Sequence, residues 1–167
     1  MLYKTVIVAV ISLISLCPMS FAGSDELLRQ DIQVVFDKIA ANYDMKDAES
    51  IIASLMPDAI FEYADGTTID IVGWLQKAQD EFEDVVSIKS QFVVESAYGS
   101  EDAATVEYTE THSYTLNSDQ GHDYFSTSRW RAELVNTVDG WKINSFKGLS
   151  QELTRDGQKA AENFVAL

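Results

Sequence analysis

Four side chains of this sequence have the chemistry to move protons or to hold a small molecule: Tyr43, Asp44, Tyr63 and His112. His112 lies in a segment of apolar and polar alternation, residues 104–116, on the side that carries most of the apolar residues. It is therefore expected to point into the core or into a cavity. An imidazole there can titrate near neutral pH and transfer protons. The alternative is a structural histidine, hydrogen-bonded to a tyrosine or a carboxylate.

Tyr43 and Asp44 end a long amphipathic segment, and Tyr63 ends a short predicted strand. Asp44 has the chemistry of a general base or a water-orienting group. It could equally end the helix or cap the next one, with Asp47 three residues later as in a capping box. Packing alone explains both tyrosine rings. A buried hydroxyl group still needs a hydrogen-bond partner, which a pocket could provide.

Other kinds of site are not indicated by the sequence. The two histidines, His112 and His122, show neither His-x-His nor His-x-x-x-His spacing, so no transition-metal site is predicted. Glu81, Glu83 and Asp84 lack the alternating oxygen ligands of a calcium loop. Neither a phosphate-binding loop nor a G-x-S-x-G motif is present. We therefore predict no metal and no cofactor.

Three helices are predicted in the first half of the chain. The first begins at Ser24, a good N-cap residue, and its apolar positions recur at steps of three and four up to Tyr43. A second, shorter helix covers Asp47–Leu55 and stops before Pro57. A strand over Ala59–Tyr63 separates it from the third helix, which is indicated by Ile71, Trp74, Leu75, Ala78 and Phe82.

After Asp84 the hydrophobic period changes from 3.6 to 2. One strand is predicted to end at Gly99, and three more cover residues 103–116, 122–135 and 141–146. Helices followed by long strands joined by hairpins indicate an α+β fold. Strands of this length must coil, so we expect a strongly curved antiparallel sheet. About three N-terminal helices should pack on its concave face and leave a cone-shaped pocket.

The N-terminus has the order of a secretory signal peptide. Lys4 is followed by an apolar run over residues 5–16, then by Ser20-Phe21-Ala22 and a polar segment. The run is shorter than the ~20 residues of a membrane-spanning helix, which is the alternative interpretation. We predict cleavage after Ala22, which makes residues 1–22 the signal peptide and residues 23–167 a single domain, periplasmic or secreted. The only cysteine, Cys17, would leave with the signal.

The formal net charge of the whole chain is −15. Such acidity excludes nucleic acid and anionic membrane surfaces as expected partners, because both are bound through clustered lysine and arginine. It is typical of an acidic, soluble protein. After signal cleavage, no association with a membrane is expected.

Several motifs carry a resemblance to a known superfamily: Asn42-Tyr43-Asp44 at the end of the first helix, Pro57–Tyr63, Trp130 and Asp139–Ile143. Over residues 25–155 the chain resembles the nuclear transport factor 2-like superfamily, also called SnoaL-like. The resemblance implies the cone fold and a homodimer formed through the outer face of the long strands. It does not imply one activity, because the superfamily includes isomerases, dehydratases, epoxide hydrolases, cyclases and binding modules.

Within the superfamily, the pattern is most similar to that of scytalone dehydratases. Tyr43-Asp44 resembles their tyrosine–aspartate pair, Tyr63 their second water-holding tyrosine, and His112 one of their two pocket histidines. The other histidine has no counterpart, since Gln91 or a neighbour stands near its place, and the active-site asparagine is not found. Ketosteroid isomerases are less similar, because their aspartate base would fall on Tyr63.

Two functions therefore remain open. In the first, the chain is an exported small-molecule-binding domain with dehydratase or isomerase chemistry on a small apolar ring compound. Tyr43 and Tyr63 would then polarise a carbonyl or hold a water, and Asp44 and His112 would move the proton. In the second, it is a non-catalytic periplasmic binding or assembly module that uses the same fold for dimerisation or protein contacts. The four retained residues favour the first function, and the missing histidine and asparagine favour the second.

Overall fold

A computed structural model describes residues 22–160 of the chain, with side chains from residue 25. The helices are α1 (Ala22–Asp44), α2 (Ala48–Ile52) and α3 (Ile71–Asp84). The strands are β1 (Leu55–Glu62), β2 (Thr68–Asp70), β3 (Val85–Gly99), β4 (Ala103–Leu116), β5 (Tyr124–Thr137), β6 (Gly140–Arg155) and β7 (Gln158–Lys159). The predicted signal peptide lies outside the described residues apart from Ala22, the first residue of α1.

Helix α1 lies across the sheet because one of its faces is apolar. Ile32, Phe36 and Ile39 are spaced three and four residues apart and are all buried. Polar residues beside this stripe fix the helix to β3. The side-chain amide of Gln33 donates to the carbonyl of Phe92 at 2.8 Å and accepts from the amide of Val94. The C-terminal end of α1, with Tyr43, is thereby held over the concave face.

The two shorter helices begin at aspartate caps. Asp47 accepts a hydrogen bond from the backbone of Ser50 at 3.0 Å, so Asp47, rather than Asp44, caps α2. Asp70 accepts from the backbone of Gly73 at 2.8 Å and caps α3. Both caps satisfy N–H groups that a helix start leaves without a partner.

The sheet has the strand order β2-β1-β6-β5-β4-β3, and β7 pairs with the end of β6. All neighbouring pairs are antiparallel except β1 and β6, which are parallel. Register shifts interrupt the pairing of β3 with β4 and of β5 with β6. Such irregularities increase twist and bend the strands. The predicted α+β fold, with a curved sheet and three helices, is confirmed.

Several predicted boundaries differ from the structure. Helix α1 begins at Ala22, so Ser24 lies inside it and is not its N-cap. Helix α2 ends at Ile52, and β1 already begins at Leu55 and runs through Pro57. The register between β1 and β6 shifts between Leu55 and Ile60, so the proline, which has no N–H, lies where the ladder is interrupted. Strand β6 continues to Arg155, well beyond the predicted end at residue 146, because it stays paired with β5 over that length.

The main core fills the space between the helices and the concave face. Phe61 of β1 stacks between Trp74 of α3 and Phe146 of β6, at ring-centroid distances of 5.4 and 4.5 Å. A smaller apolar cluster of Tyr114, Tyr124 and Leu153 lies further along the strands. Among residues 22–160, no helix is both long enough and apolar enough to cross a membrane.

Candidate active site

A cavity lies where the three helices meet the concave face of the sheet. Its volume, measured for the centres of water molecules, is about 50 Å³, which is room for a few waters. Most of its wall is aromatic, with Phe36, Phe61, Trp74, Phe92 and Phe146 among the contributors. Seven polar side chains interrupt this wall: Tyr43, Tyr63, Lys77, Glu81, Tyr108, Glu110 and Gln151. An apolar cavity with a few convergent polar groups is the usual composition of a small-molecule site.

Glu110 is the buried carboxyl group of this cavity, with 7% of its surface exposed. The alternation of β4 points it inward, and its Oε1 accepts a hydrogen bond from the indole Nε1 of Trp130 at 2.8 Å. Burial raises the pKa of Glu110 to about 8, against smaller lowering effects of the Trp130 hydrogen bond and of the Lys77 charge. The group is therefore mainly protonated at neutral pH and can donate a proton.

Tyr43 and Tyr63 line the same cavity from the end of α1 and from just beyond the end of β1. The ring of Tyr63 meets Trp130 edge-on at 5.9 Å. Burial, and then the charges of Glu81, Glu110 and Asp65, raise the pKa of Tyr63 to about 12. Burial likewise raises the pKa of Tyr43 well above its usual value. Both side chains thus remain neutral phenols that can donate hydrogen bonds to a ligand.

Lys77 and Glu81 lie one turn apart on α3 and both line the cavity, as does the exposed Gln151. Their Nζ and Oε1 atoms are 2.5 Å apart, and 29% and 25% of the two side chains are exposed. Burial raises the pKa of Glu81, and the Lys77 charge and hydrogen bond oppose this shift. The cavity therefore holds two carboxyl groups in different surroundings.

His112 and Asp44 are not among the residues that line this cavity. His112 is only 1% exposed, and its ring centroid is 4.9 Å from that of Tyr43. Its Nδ1 is 3.0 Å from Ser90 Oγ, and its Nε2 has no hydrogen-bond partner among the described residues. Burial lowers the pKa of His112 to about 4, although the Asp44 charge raises it. The imidazole is therefore neutral at neutral pH.

Asp44 faces β3. Its Oδ1 accepts from the backbone N–H of Ser90 at 2.6 Å, and its Oδ2 pairs with the ammonium group of Lys89. Ser90 consequently joins Asp44 to His112 through its backbone and its hydroxyl group. Of the four residues predicted from the sequence, Tyr43 and Tyr63 reach the cavity, and His112 contacts Tyr43 from the side of the sheet.

Sequence reasoning did not select Glu110, Glu81 or Lys77. Glu110 gave a signal, because it is a carboxylate on the apolar side of the alternating β4 segment. Glu81 and Lys77 gave none, since a lysine and a glutamate four residues apart are common on a solvated helix face. Within the part of the chain that the structure describes, no group of three or more histidine, cysteine, aspartate and glutamate side chains is placed to hold a metal ion.

Several solved structures share this fold. One is a protein from Novosphingobium aromaticivorans assigned as a scytalone dehydratase, with a TM-score of 0.65, 11% identity, and coverage of 84% of this chain and 97% of that chain. A hexachlorocyclohexane dehydrochlorinase, LinA type 2, has a TM-score of 0.62 and 15% identity, and the match covers 87% of this chain and 97% of that chain. A ketosteroid isomerase-like protein from Erwinia carotovora atroseptica has a TM-score of 0.59 and 14% identity, and the match covers 73% of this chain and 96% of that chain.

No curated protein is similar enough in sequence to count as a match. A family model does match, and its description is a SnoaL-like domain. It covers residues 26–147, from the first turns of α1 to the middle of β6. The matched segment therefore contains every polar cavity residue except Gln151. The chain belongs to the SnoaL-like domain family.

Proposed function

We propose that the chain binds a compact, largely apolar ring compound in this cavity, which must widen beyond its volume of about 50 Å³ to admit the ring, and acts on it as a cofactor-independent dehydratase or isomerase. The observation that supports the proposal is Glu110, a buried carboxyl group that is mainly protonated at neutral pH and lies in an aromatic cavity with the phenols of Tyr43 and Tyr63. A desolvated acid of this kind is suited to proton transfer near neutral pH.

The arrangement suggests how the reaction would proceed. The aromatic wall would hold the substrate ring, and Tyr43 and Tyr63 would donate hydrogen bonds to its carbonyl oxygen. Negative charge that develops on this oxygen would then be stabilised by fixed donors. The Trp130 indole holds Oε1 of Glu110, so Oε2 is left to carry the transferable proton. In a dehydration, the carbon–oxygen bond breaks and this proton leaves with the hydroxyl group as water.

The names of the structurally similar proteins are compatible with this chemistry. They include one assigned as a dehydratase, a dehydrochlorinase and an isomerase-like protein, and these names denote elimination and isomerisation. The proton-transfer roles predicted for Asp44 and His112 stay predictions. If they take part, the geometry supports an action through Tyr43, which His112 contacts.

Tyr63→Phe is expected to weaken the site without unfolding the protein. Indan-2-one, a compact ring ketone, serves as the probe, and its α-proton exchange in D2O can be followed by NMR. Loss of one donor to the oxyanion should slow the exchange by ~100-fold. Indan-2-one at ~100 times its dissociation constant should add about 2.7 kcal/mol to the stability of the wild-type protein, and Tyr63→Phe should reduce this gain.

Tyr98→Phe is the matched control, because Tyr98 is 57% exposed and lies outside the cavity. It should leave both measurements unchanged. Stabilisation by indan-2-one without any exchange above the buffer rate would favour the alternative, a binding module without turnover. The absence of both effects in the wild-type protein would contradict the proposed function.

We also propose that the chain is exported to the periplasm or secreted. The charged start, the apolar run of residues 5–16 and Ala22 support this proposal. N-terminal sequencing of the protein from its native host should give Gly23 as the first residue. Recovery of mature protein that still begins with Met1 would contradict it.

The outer face of the long strands supports a further proposal, that the protein is a homodimer. Val93 is 43% exposed there, and Thr109 lies opposite it on β4. Light scattering at tens of micromolar should give the mass of a dimer, and Val93→Asp should give a monomer. Val72→Asp, a substitution on the exposed side of α3, should stay dimeric. A wild-type monomer at this concentration would refute the dimer.

A further inference from the structure

Glu81 and Lys77 have no role in the mechanism above, although both line the cavity that contains Glu110. Glu81 reaches it from α3, while Glu110 reaches it from β4 on the sheet. Both carboxyl groups raise the pKa of Tyr43 and of Tyr63, so each of the two phenols lies near both acids. The Lys77 charge lowers the pKa of Glu81 and of Glu110, and therefore lies near both as well.

The partners of the two carboxyl groups differ in charge. Glu110 accepts a hydrogen bond from a neutral indole and is buried. Glu81 pairs with an ammonium group at 2.5 Å and keeps a quarter of its side chain exposed to solvent. An adjacent cation and partial hydration both favour the carboxylate form. Burial raises the pKa of Glu81, and the ion pair with Lys77 opposes this shift. One cavity thus presents a carboxylate in an ion pair and a carboxyl group held by a neutral indole, a difference in surroundings that suits a general base and a general acid.

We infer that Glu81 is the general base that acts together with Glu110 as the acid, and that Lys77 is a positioning residue that keeps Glu81 ionised and oriented. This inference rests on the proposed function and assigns its second proton-transfer group. Lys77 itself is not required to touch the substrate.

The proton balance of such a reaction closes within the site. Glu81 takes a proton from the carbon next to the substrate carbonyl, and the electron pair moves to the carbonyl oxygen, which Tyr43 and Tyr63 stabilise. Collapse of this enolate forms the carbon–carbon double bond and expels the hydroxyl group, which leaves as water with the proton of Glu110. The cycle ends when a proton passes from Glu81 to Glu110, directly or through water.

The ionisation of Glu81 depends on groups from several elements. The titratable groups that influence it or respond to it are Lys77 and Asp80 on α3, Tyr43 on α1, Tyr63 after β1, and Tyr114 on β4. Glu110 lines the same cavity from β4. Among the neighbouring charges, that of Lys77 has the largest effect on the pKa of Glu81 and lowers it, whereas that of Asp80 raises it. Removal of the Lys77 charge should consequently move the titration of Glu81 to higher pH.

Elimination of 5-nitrobenzisoxazole tests the base without knowledge of the natural substrate. A base removes the proton on carbon 3, the nitrogen–oxygen bond breaks, and a nitrile and a coloured phenolate form. At pH 7 we expect Glu81→Gln to lower the rate at least tenfold. Glu83→Gln, on the exposed side of the same helix, should have the wild-type rate.

Three further variants separate a positioning role from a structural one. Lys77→Met should shift the acid limb of the pH–rate profile to higher pH, and Lys77→Arg should restore it. Glu81→Asp keeps the carboxylate and should retain part of the rate if Glu81→Gln loses it. Circular dichroism and thermal unfolding identify any variant that does not fold.

A rate that rises with an apparent pKa of about 8 and disappears in Glu110→Gln would overturn the inference, because Glu110 would then be the base. An unchanged rate in Glu81→Gln, or a wild-type rate no higher than that of free acetate, would also overturn it. These outcomes are distinguishable from failure of the proposed function, which is judged by the binding and proton exchange of indan-2-one.

Discussion

Glu110→Gln is expected to make the protein more stable relative to wild type as the pH rises from 5 to 8. The folded-state pKa of Glu110 is about 8, against an ordinary value of 4.5. Because the pKa of Glu110 is raised in the folded state, its contribution to the free energy of unfolding is fully present below pH 4.5. This contribution is lost as the pH rises through 8, since the carboxyl group ionises first in the unfolded chain. At about 1.4 kcal/mol per pH unit, the advantage of the glutamine variant should grow by about 4 kcal/mol between pH 5 and 8.

Urea unfolding at closely spaced pH values measures this difference. Glu95→Gln provides the control, because Thr109 and Arg129 hydrogen-bond to Glu95 on the outer face and its pKa is lowered. The contribution of Glu95 changes only at acid pH, below its ordinary value, so this variant should run parallel to wild type between pH 5 and 8. A Glu110→Gln curve that also runs parallel to wild type would show that Glu110 ionises freely in the folded protein.

The elements that place the cavity were predictable because their signals are local. The three- and four-residue spacing of Ile32, Phe36 and Ile39 can be satisfied only by a helix with one buried face. The strict alternation of β4 likewise fixes which side chains point inward, including Glu110 and His112. These periodicities depend on each segment alone, and no knowledge of its partners was needed.

The pairing of β1 with β6 was not predictable in the same way. The two strands are parallel and more than 80 residues apart, and nothing in either segment specifies the other. The second half of β6 was missed for a related reason. Residues 149–152 are exposed and do not alternate, so that their strand conformation depends on the ladder with β5. Gln151, a cavity residue, lies in this segment and was therefore not predicted either.

The candidate site was predicted only in part because direction matters as much as position. Tyr43 and Asp44 are neighbours at the end of α1, yet successive residues on a helix point about 100° apart. Tyr43 therefore enters the cavity while Asp44 turns to the backbone of Ser90. Glu81 and Lys77 resemble any solvated helix pair until α3 is placed over the sheet. Tertiary contact alone distinguishes them.

His112→Gln is expected to remove an acid-induced loss of stability. Burial lowers the folded-state pKa of His112 to about 4 from 6.5, so the folded protein holds a neutral imidazole that the unfolded chain would protonate. Because the pKa of His112 is lowered in the folded state, its contribution to the free energy of unfolding is present above pH 6.5 and is lost as the pH falls through 4. The variant should therefore gain about 3 kcal/mol relative to wild type between pH 7 and 4.

Wild-type protein should show little net change between pH 4.5 and 6.5, because the contributions of Glu110 and His112 have opposite slopes there. In His112→Gln only the pH dependence that comes from Glu110 remains, and stability should then fall steadily as the pH rises from 4.5.

Ser90→Ala is the control, because it removes the partner of Nδ1 and keeps the imidazole. It should lower stability by about 1 kcal/mol at every pH and preserve the acid slope. If His112→Gln instead parallels wild type down to pH 4, the imidazole must be able to ionise inside the fold. Its Nε2, which has no hydrogen-bond partner among residues 22–160, would then have to reach a counter-charge or water.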